Sequence, residues 1–372
     1  MERSDRTSEN RANRLLAAVL LTGLALVGAE VGVRLEEAIR YGVPLGSNRT
    51  AVDQLAVRDS LGRHPLAGAR YRKWSINSVG ARGPEPVDGR ARVLVLGASE
   101  TFGLYESPGK EFPRQLEDSL HAAGCVVDVL NAGFPGMGVP TIRQDYLRRL
   151  AALRPTLVLY YPTPTQYLND AVPMPVAPSA TPIIAGEAPA LRVVARLRDG
   201  VKATVPGPIL HRLRARDLAR ARAEWPRDSV WVEVPLDRAD ALMRDLEALA
   251  DDVTASGARL VVATHANGFM AHPPLSPDWL TAWERFYPRA TGSTLLAFED
   301  LINARMREWQ ATRPAVGLVD VAATARHWDG PRTFADFSHF TDAGAARMAG
   351  ALVGAVRELA GCRAADDAKQ RE

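Results

Sequence analysis

Along most of this chain the hydrophobic and polar positions switch between two periods. Short, nearly continuous apolar runs at residues 93–96, 126–130, 157–161, 260–263 and 316–321 fit strands buried on both faces. Between them the period lengthens to that of a helix. Phe112, Leu116 and Leu120 recur at four-residue spacing before Gly124, and Leu242, Leu246, Leu249 and Val253 share one face before Gly257. A closing helix is expected over residues 342–359. Strands alternating with helices predict an α/β fold, a three-layer α/β/α sandwich around a five-stranded parallel sheet with right-handed crossovers. Ligands in such sheets bind beyond the carboxyl ends of the strands, at the switch point beside the first one.

The first 90 residues follow another pattern. Arg3, Arg6, Arg11 and Arg14 precede an uncharged, mostly apolar run from Leu15 to Ala29, and Val31-Gly32-Val33 extends it past Glu30. A basic leader (1–14) before an apolar segment (15–33) carries the following chain across a membrane. The segment is either an uncleaved transmembrane anchor, which Val31 to Val33 favour, or a signal segment cleaved at Val27-Gly28-Ala29. Residues 34–90, with four prolines and several glycines, read as linker and lead-in to a domain over 91–361. Within that domain, residues 171–230 break the pattern and read as an insertion at the rim of the sheet's active face. Residues 362–372 read as a tail.

Charge narrows the partners. The 46 basic and 43 acidic side chains nearly cancel, so no field points to nucleic acid. The Arg-rich stretch from His211 to Arg222 reads as a solvated helix face. Cys125 and Cys362 are the two cysteines, without the spacing of a thiolate metal site, and no other metal-ligand spacing is present. In the expected sheet both cysteines fall at the end opposite the active face, either disulfide-bonded or as two free thiols.

The candidate chemistry lies at the strand ends. Ser99, in Gly97-Ala98-Ser99-Glu100-Thr101-Phe102-Gly103, follows the first strand directly, at the expected switch point. Asp336 and His339 precede the closing helix. Together they supply a nucleophile, a general base and a carboxylate that orients the base, the minimum set for acyl transfer. His265, at the end of the fourth strand, reads as a rim or core histidine. A G-x-S-x-G elbow is absent because Thr101 stands where its second glycine belongs, and no G-x-G-x-x-G or Walker pattern implies a nucleotide.

These blocks resemble the SGNH (GDSL-type) hydrolases, in particular membrane-anchored members. Ser99 and its neighbours are similar to the first block, Asn131-Ala132-Gly133-Phe134-Pro135-Gly136 to the second, and Asp336-x-x-His339 with Phe340, Thr341 and Gly344 to the last. Glu111-Phe112-Pro113 looks like the helix after the nucleophile, and Asn77-Ser78-Val79-Gly80-Ala81-Arg82-Gly83 like a lead-in of the anchored members. The resemblance implies a flavodoxin-like sheet, Ser99, Asp336 and His339 as catalytic residues, and oxyanion donors from the Ser99 and Gly136 backbones. Two departures stand out. Ala98 replaces the family's Asp, and the family's third-block Asn is missing from Tyr160-Tyr161-Pro162-Thr163-Pro164-Thr165. Thr163, Thr165 or Asn169 is left to take that Asn's place. The implied function is a cofactor-free extracytoplasmic serine esterase acting on an O-acylated carbohydrate or lipid-like ester. An O-acyltransferase of envelope polysaccharide with the same triad, and a catalytically weak carbohydrate-binding protein, are the alternatives.

Overall fold

A computed structural model describes residues 2–169, 183–184, 191–226 and 229–362. The N-terminal apolar run lies in one continuous helix, α1 (Glu2–Tyr41). Its part from Asn13 to Tyr41 is long and apolar enough to cross a membrane, and side chains from Leu15 to Val27 stand exposed along it. A helix satisfies its backbone internally, which lipid requires.

The sheet begins with β1 (Ala91–Gly97), and the amphipathic helix α2 (Phe112–Ala122) returns the chain to β2 (Val127–Asn131). β3 (Leu157–Tyr161) follows, then the helices α3 (Arg192–Thr204), α4 (Gly207–Ala223) and α5 (Leu236–Ala255). β4 (Arg259–Ala263), α6 (Asp278–Phe286), α7 (Gly292–Ala311), β5 (Gly317–Val319) and α8 (Asp342–Leu359) complete the domain. All five strands are parallel, in the order β5-β4-β3-β1-β2. The expected α/β/α sandwich is therefore present. Successive side chains of a strand point to opposite faces, so the apolar runs feed two cores. Val93 and Val95 pack with Phe112, Leu116 and Met348 under α2 and α8, whereas Leu94 and Leu96 pack with Ile142, Leu246 and Phe298 on the other face.

The last strand is shorter than its apolar run. Asp320 accepts a hydrogen bond from the N–H of Ala323 at 3.1 Å and caps a short helix, Val321–Ala325, so Val321 opens a helix instead of extending β5. Residues after α1 are also more than a tether. Hairpins at Ala56–Asp59/Gly62–Pro65 and Arg70–Tyr71/Trp74–Ser75 lie against the domain, and Leu55, Tyr71, Ile76 and Ala81 are buried in its core. Of the segment expected as an insertion, α3 and α4 are described, while residues 171–182, 185–190 and 227–228 lie outside the described residues, as do 363–372 of the tail.

Cys125, just before β2, and Cys362, just after α8, are joined in a disulfide with their Cα atoms 5.3 Å apart. Crosslinking residues 237 positions apart removes much freedom from the unfolded chain, typically worth about 2–4 kcal/mol. Reductant is expected to lower the melting temperature by several degrees in a thermal scan. The denatured protein should show no free thiol before reduction and two after it; two before reduction would refute the bond.

Candidate active site

β1 ends at Gly97, where a Cβ would stand 2.8 Å from the Tyr161 carbonyl oxygen of β3. Only glycine lets the chain turn this tightly out of the sheet. Ala98 then caps a one-turn helix, Ser99–Phe102, with Ser99 as its first residue. The N–H of a first helical residue has no carbonyl within the helix, so the Ser99 amide is left without a partner inside its own turn. At the other end of the turn, the buried Arg82 of the lead-in donates to the carbonyls of Phe102 and Gly103 and pairs with Glu111 at 3.1 Å. The lead-in thus braces the segment carrying Ser99.

The partners of Ser99 come from the β5–α8 loop. Asp336 folds this loop around its own carboxylate, accepting from the backbone N–H groups of Ser338 (3.0 Å) and His339 (2.9 Å). The same carboxylate lies 2.9 Å from His339 Nδ1, and His339 Nε2 lies 2.9 Å from Ser99 Oγ. This arrangement assigns the imidazole proton to Nδ1, donating to Asp336, and leaves Nε2 to accept from the serine hydroxyl. Burial by itself would lower the basicity of His339. The hydrogen bond and charge of Asp336, with the charges of Glu100 and Glu106, outweigh it and push the pKa up to about 9.

The three residues line a cleft of about 460 Å³ that also includes Gly136, Thr163, Thr165 and Asn169. Gly136 has φ +73°, the left-handed region that favours glycine. Asn131 steadies its loop, with its amide donating to the Thr101 carbonyl at 2.9 Å and its oxygen accepting from Gly133 N–H at 3.1 Å. Ser99, Asp336, His339, Gly136 and Asn169 thus border one cavity.

No protein-family model matches the chain, nor does any curated relative. Among solved structures it is similar to an acetyl xylan esterase (11% identity, TM-score 0.41, covering 71% of this chain and 99% of that one). It is also similar to the lipase/acylhydrolase from Enterococcus faecalis (13%, TM-score 0.37, 72% and 96%). A GDSL-like lipase from Bacteroides thetaiotaomicron VPI-5482 gives 12%, a TM-score of 0.37 and coverage of 74% and 92%. The five-stranded parallel sheet is the one implied by the resemblance of the sequence blocks to the SGNH (GDSL-type) hydrolases.

Within this frame the structure adds a group that the sequence motifs do not mark. Glu100, next to the candidate nucleophile, is 2% exposed and accepts hydrogen bonds from Thr163 Oγ1 (2.8 Å) and Ser338 Oγ (2.9 Å), with Ser99 Oγ at 3.2 Å. One carboxylate thereby ties together the ends of β1 and β3 and the Asp336/His339 loop. Of the three third-block candidates, Thr163 spends its hydroxyl on Glu100. Thr165 is buried, and Asn169 lines the cleft with an exposed side chain.

Behind Glu100 stands His265, fully buried. Its Nδ1 contacts Glu299, and its Nε2 lies 3.9 Å from Glu100 Oε1, an ion-pair separation too long for a hydrogen bond. Burial lowers the basicity of His265, but the two carboxylates win and raise its pKa to about 9. The Glu100 carboxyl is raised by burial and lowered more by His265 and His339, and ends well below the usual carboxylate range. His265 is therefore a core histidine with an electrostatic task. The sequence signal for this set is thin: a Glu inside the serine motif, and a His at the end of β4.

Proposed function

We propose that this protein is a serine ester hydrolase with Ser99 as nucleophile, His339 as general base and acid, and Asp336 as the carboxylate that orients His339. The observation that carries this reading is the unbroken hydrogen-bonded line from Ser99 Oγ through the imidazole to Asp336, with each link at 2.9 Å. Ser99 Oγ attacks the ester carbonyl as its proton passes to His339 Nε2. The oxyanion that forms faces the backbone N–H groups of Ser99 and Gly136, each such donor being worth about 3 kcal/mol in the transition state. The carbonyl carbon–alkoxy oxygen bond then breaks, His339 protonates the departing alcohol, and a water activated by the same nitrogen releases the acyl group.

The substrate class is an O-acylated carbohydrate or lipid-like ester, on the far side of a membrane in which α1 is the anchor. The basic leader ahead of the apolar run of α1 and the Cys125–Cys362 disulfide support that location. The assembled triad favours an enzyme over a binding protein. Supplying acetylated oligosaccharide with and without an acceptor glycan distinguishes transfer to water from transfer to a sugar hydroxyl.

A fluorophosphonate probe tests the reading directly. Wild type should become labelled and Ser99→Ala should not. Labelling that persists in Ser99→Ala, or a folded wild type that resists the probe, would reject Ser99 as nucleophile. Catalysis also needs neutral His339. With its pKa at about 9, kcat/KM for p-nitrophenyl acetate should keep rising with pH above neutrality. A midpoint at or below the ordinary histidine value of about 6.5 would contradict the Asp336 and Glu100 contributions.

A further inference from the structure

Helix α3 is built inside out for a helix in water, where the charged face points to solvent and the apolar face to the core. Three of its charged residues, Arg192, Arg196 and Asp199, pair with groups of the protein. Arg192 is 1% exposed and pairs with Glu37 of α1 at 2.9 Å. Arg196 reaches Glu36 (2.7 Å) and Glu37 (3.0 Å), and Asp199 pairs with Arg72 at 2.9 Å. On the opposite side, Val194, Leu197 and Val201 are 57%, 69% and 57% exposed. Their spacing of three and four residues makes one continuous apolar stripe.

The position of α3 identifies what covers the stripe. The backbone N–H of Val193 donates to the Glu30 carboxylate at 2.9 Å. Glu30 is the first charged residue after the apolar run of α1, flanked by the exposed Val27 and Val31. The stripe thus continues the apolar surface of α1 where that helix leaves its most hydrophobic stretch. Arg198, largely exposed beside Leu197, can extend its charge to lipid phosphates while its stem stays in apolar surroundings.

We propose that α3 lies in the bilayer interface beside α1, with Val194, Leu197 and Val201 inserted among lipid acyl chains. This rests on the reading of α1 as a membrane span. It gives the domain a second membrane contact and a fixed orientation. α3 leads through residues 205 and 206 into α4, which packs on α6, and Phe286 of α6 lines the cleft.

The test uses the full chain in nanodiscs of phosphatidylcholine and phosphatidylglycerol. Single cysteines replace Val194, Leu197, Val201, Leu20 or Val232, and each is labelled with an environment-sensitive fluorophore. The native cysteines are protected by their disulfide. Labels at 194, 197 and 201 should be quenched by doxyl lipids and at least about twofold less accessible to iodide than the label at the exposed Val232. Iodide access equal to that at Val232 overturns the proposal. Shielding from iodide without doxyl quenching also overturns it, since a second copy or another protein then covers the stripe. Quenching at Leu20 without quenching at 197 rejects the interfacial helix alone, whereas no quenching at Leu20 rejects the span and the proposal together.

Discussion

Replacing Ser99 by alanine is expected to lower kcat for an ester substrate by about 10⁶-fold, and His339→Ala should do about as much damage. Each acts only through the other, because the serine is a poor nucleophile unless its proton has an acceptor, and the imidazole has nothing to activate without the hydroxyl. The double variant should therefore be no slower than either single one within a few-fold. Asp336→Asn should lose about 10⁴-fold, since an amide donates where the carboxylate accepted and disfavours the tautomer with a free Nε2. Steady-state kinetics on purified folded variants check the set. Additive losses in Ser99→Ala/His339→Ala, or a Ser99→Ala enzyme within tenfold of wild type, would mean that turnover runs through other groups.

The second large effect concerns stability. His265→Leu should destabilise the domain by about 3–5 kcal/mol, because it leaves Glu100 and Glu299 buried without the cation between them. Adding Glu299→Gln should recover part of this loss, since one of the stranded charges is then gone, and denaturant titrations can read the coupling. Glu100→Gln has a separate signature. It removes a negative charge that raises the pKa of His339, so the kcat/KM profile should move about one pH unit lower. An unchanged profile would reduce Glu100 to a purely structural tie.

The same pair sets a pH window. His265 and His339 both have pKa values raised to about 9 in the folded protein. Their stabilising contribution is complete below the unfolded value of about 6.5 and is lost as pH climbs through about 9. Stability should therefore fall over the range in which activity rises, and thermal scans from pH 6 to 10 would show it. Glu100 behaves in the opposite sense: its lowered pKa adds stability above the unfolded carboxylate value, lost only on strong acidification.

The main strands and helices of the sheet are written locally, because period-two and period-3.6 patterns record which side chains each element must bury. That is why residues 342–359 read as a helix and Asp342–Leu359 is one, and why Ser99 could be placed at a strand end. Asp336 and His339 were legible for a similar reason, since three residues apart in one loop they make most of their own geometry. Where local signals competed, the reading slipped. The apolar run to Val321 hid the cap made by Asp320, and the prolines of 34–90 disguised hairpins whose buried residues contact the core only through the fold.

The sequence by itself determined the layers, the N-terminal apolar helix and the three residues of the proposed triad, because each rests on neighbours within a few positions. Only the tertiary structure decided that Glu100 is a buried tie between three loops, that His265 sits between two carboxylates, and that α3 turns Arg192 and Arg196 towards α1. Those facts depend on groups from 34 to 238 residues apart. In one dimension a buried charge and a solvated one have the same letter, and the desolvation and pairing that separate them exist only once distant segments meet.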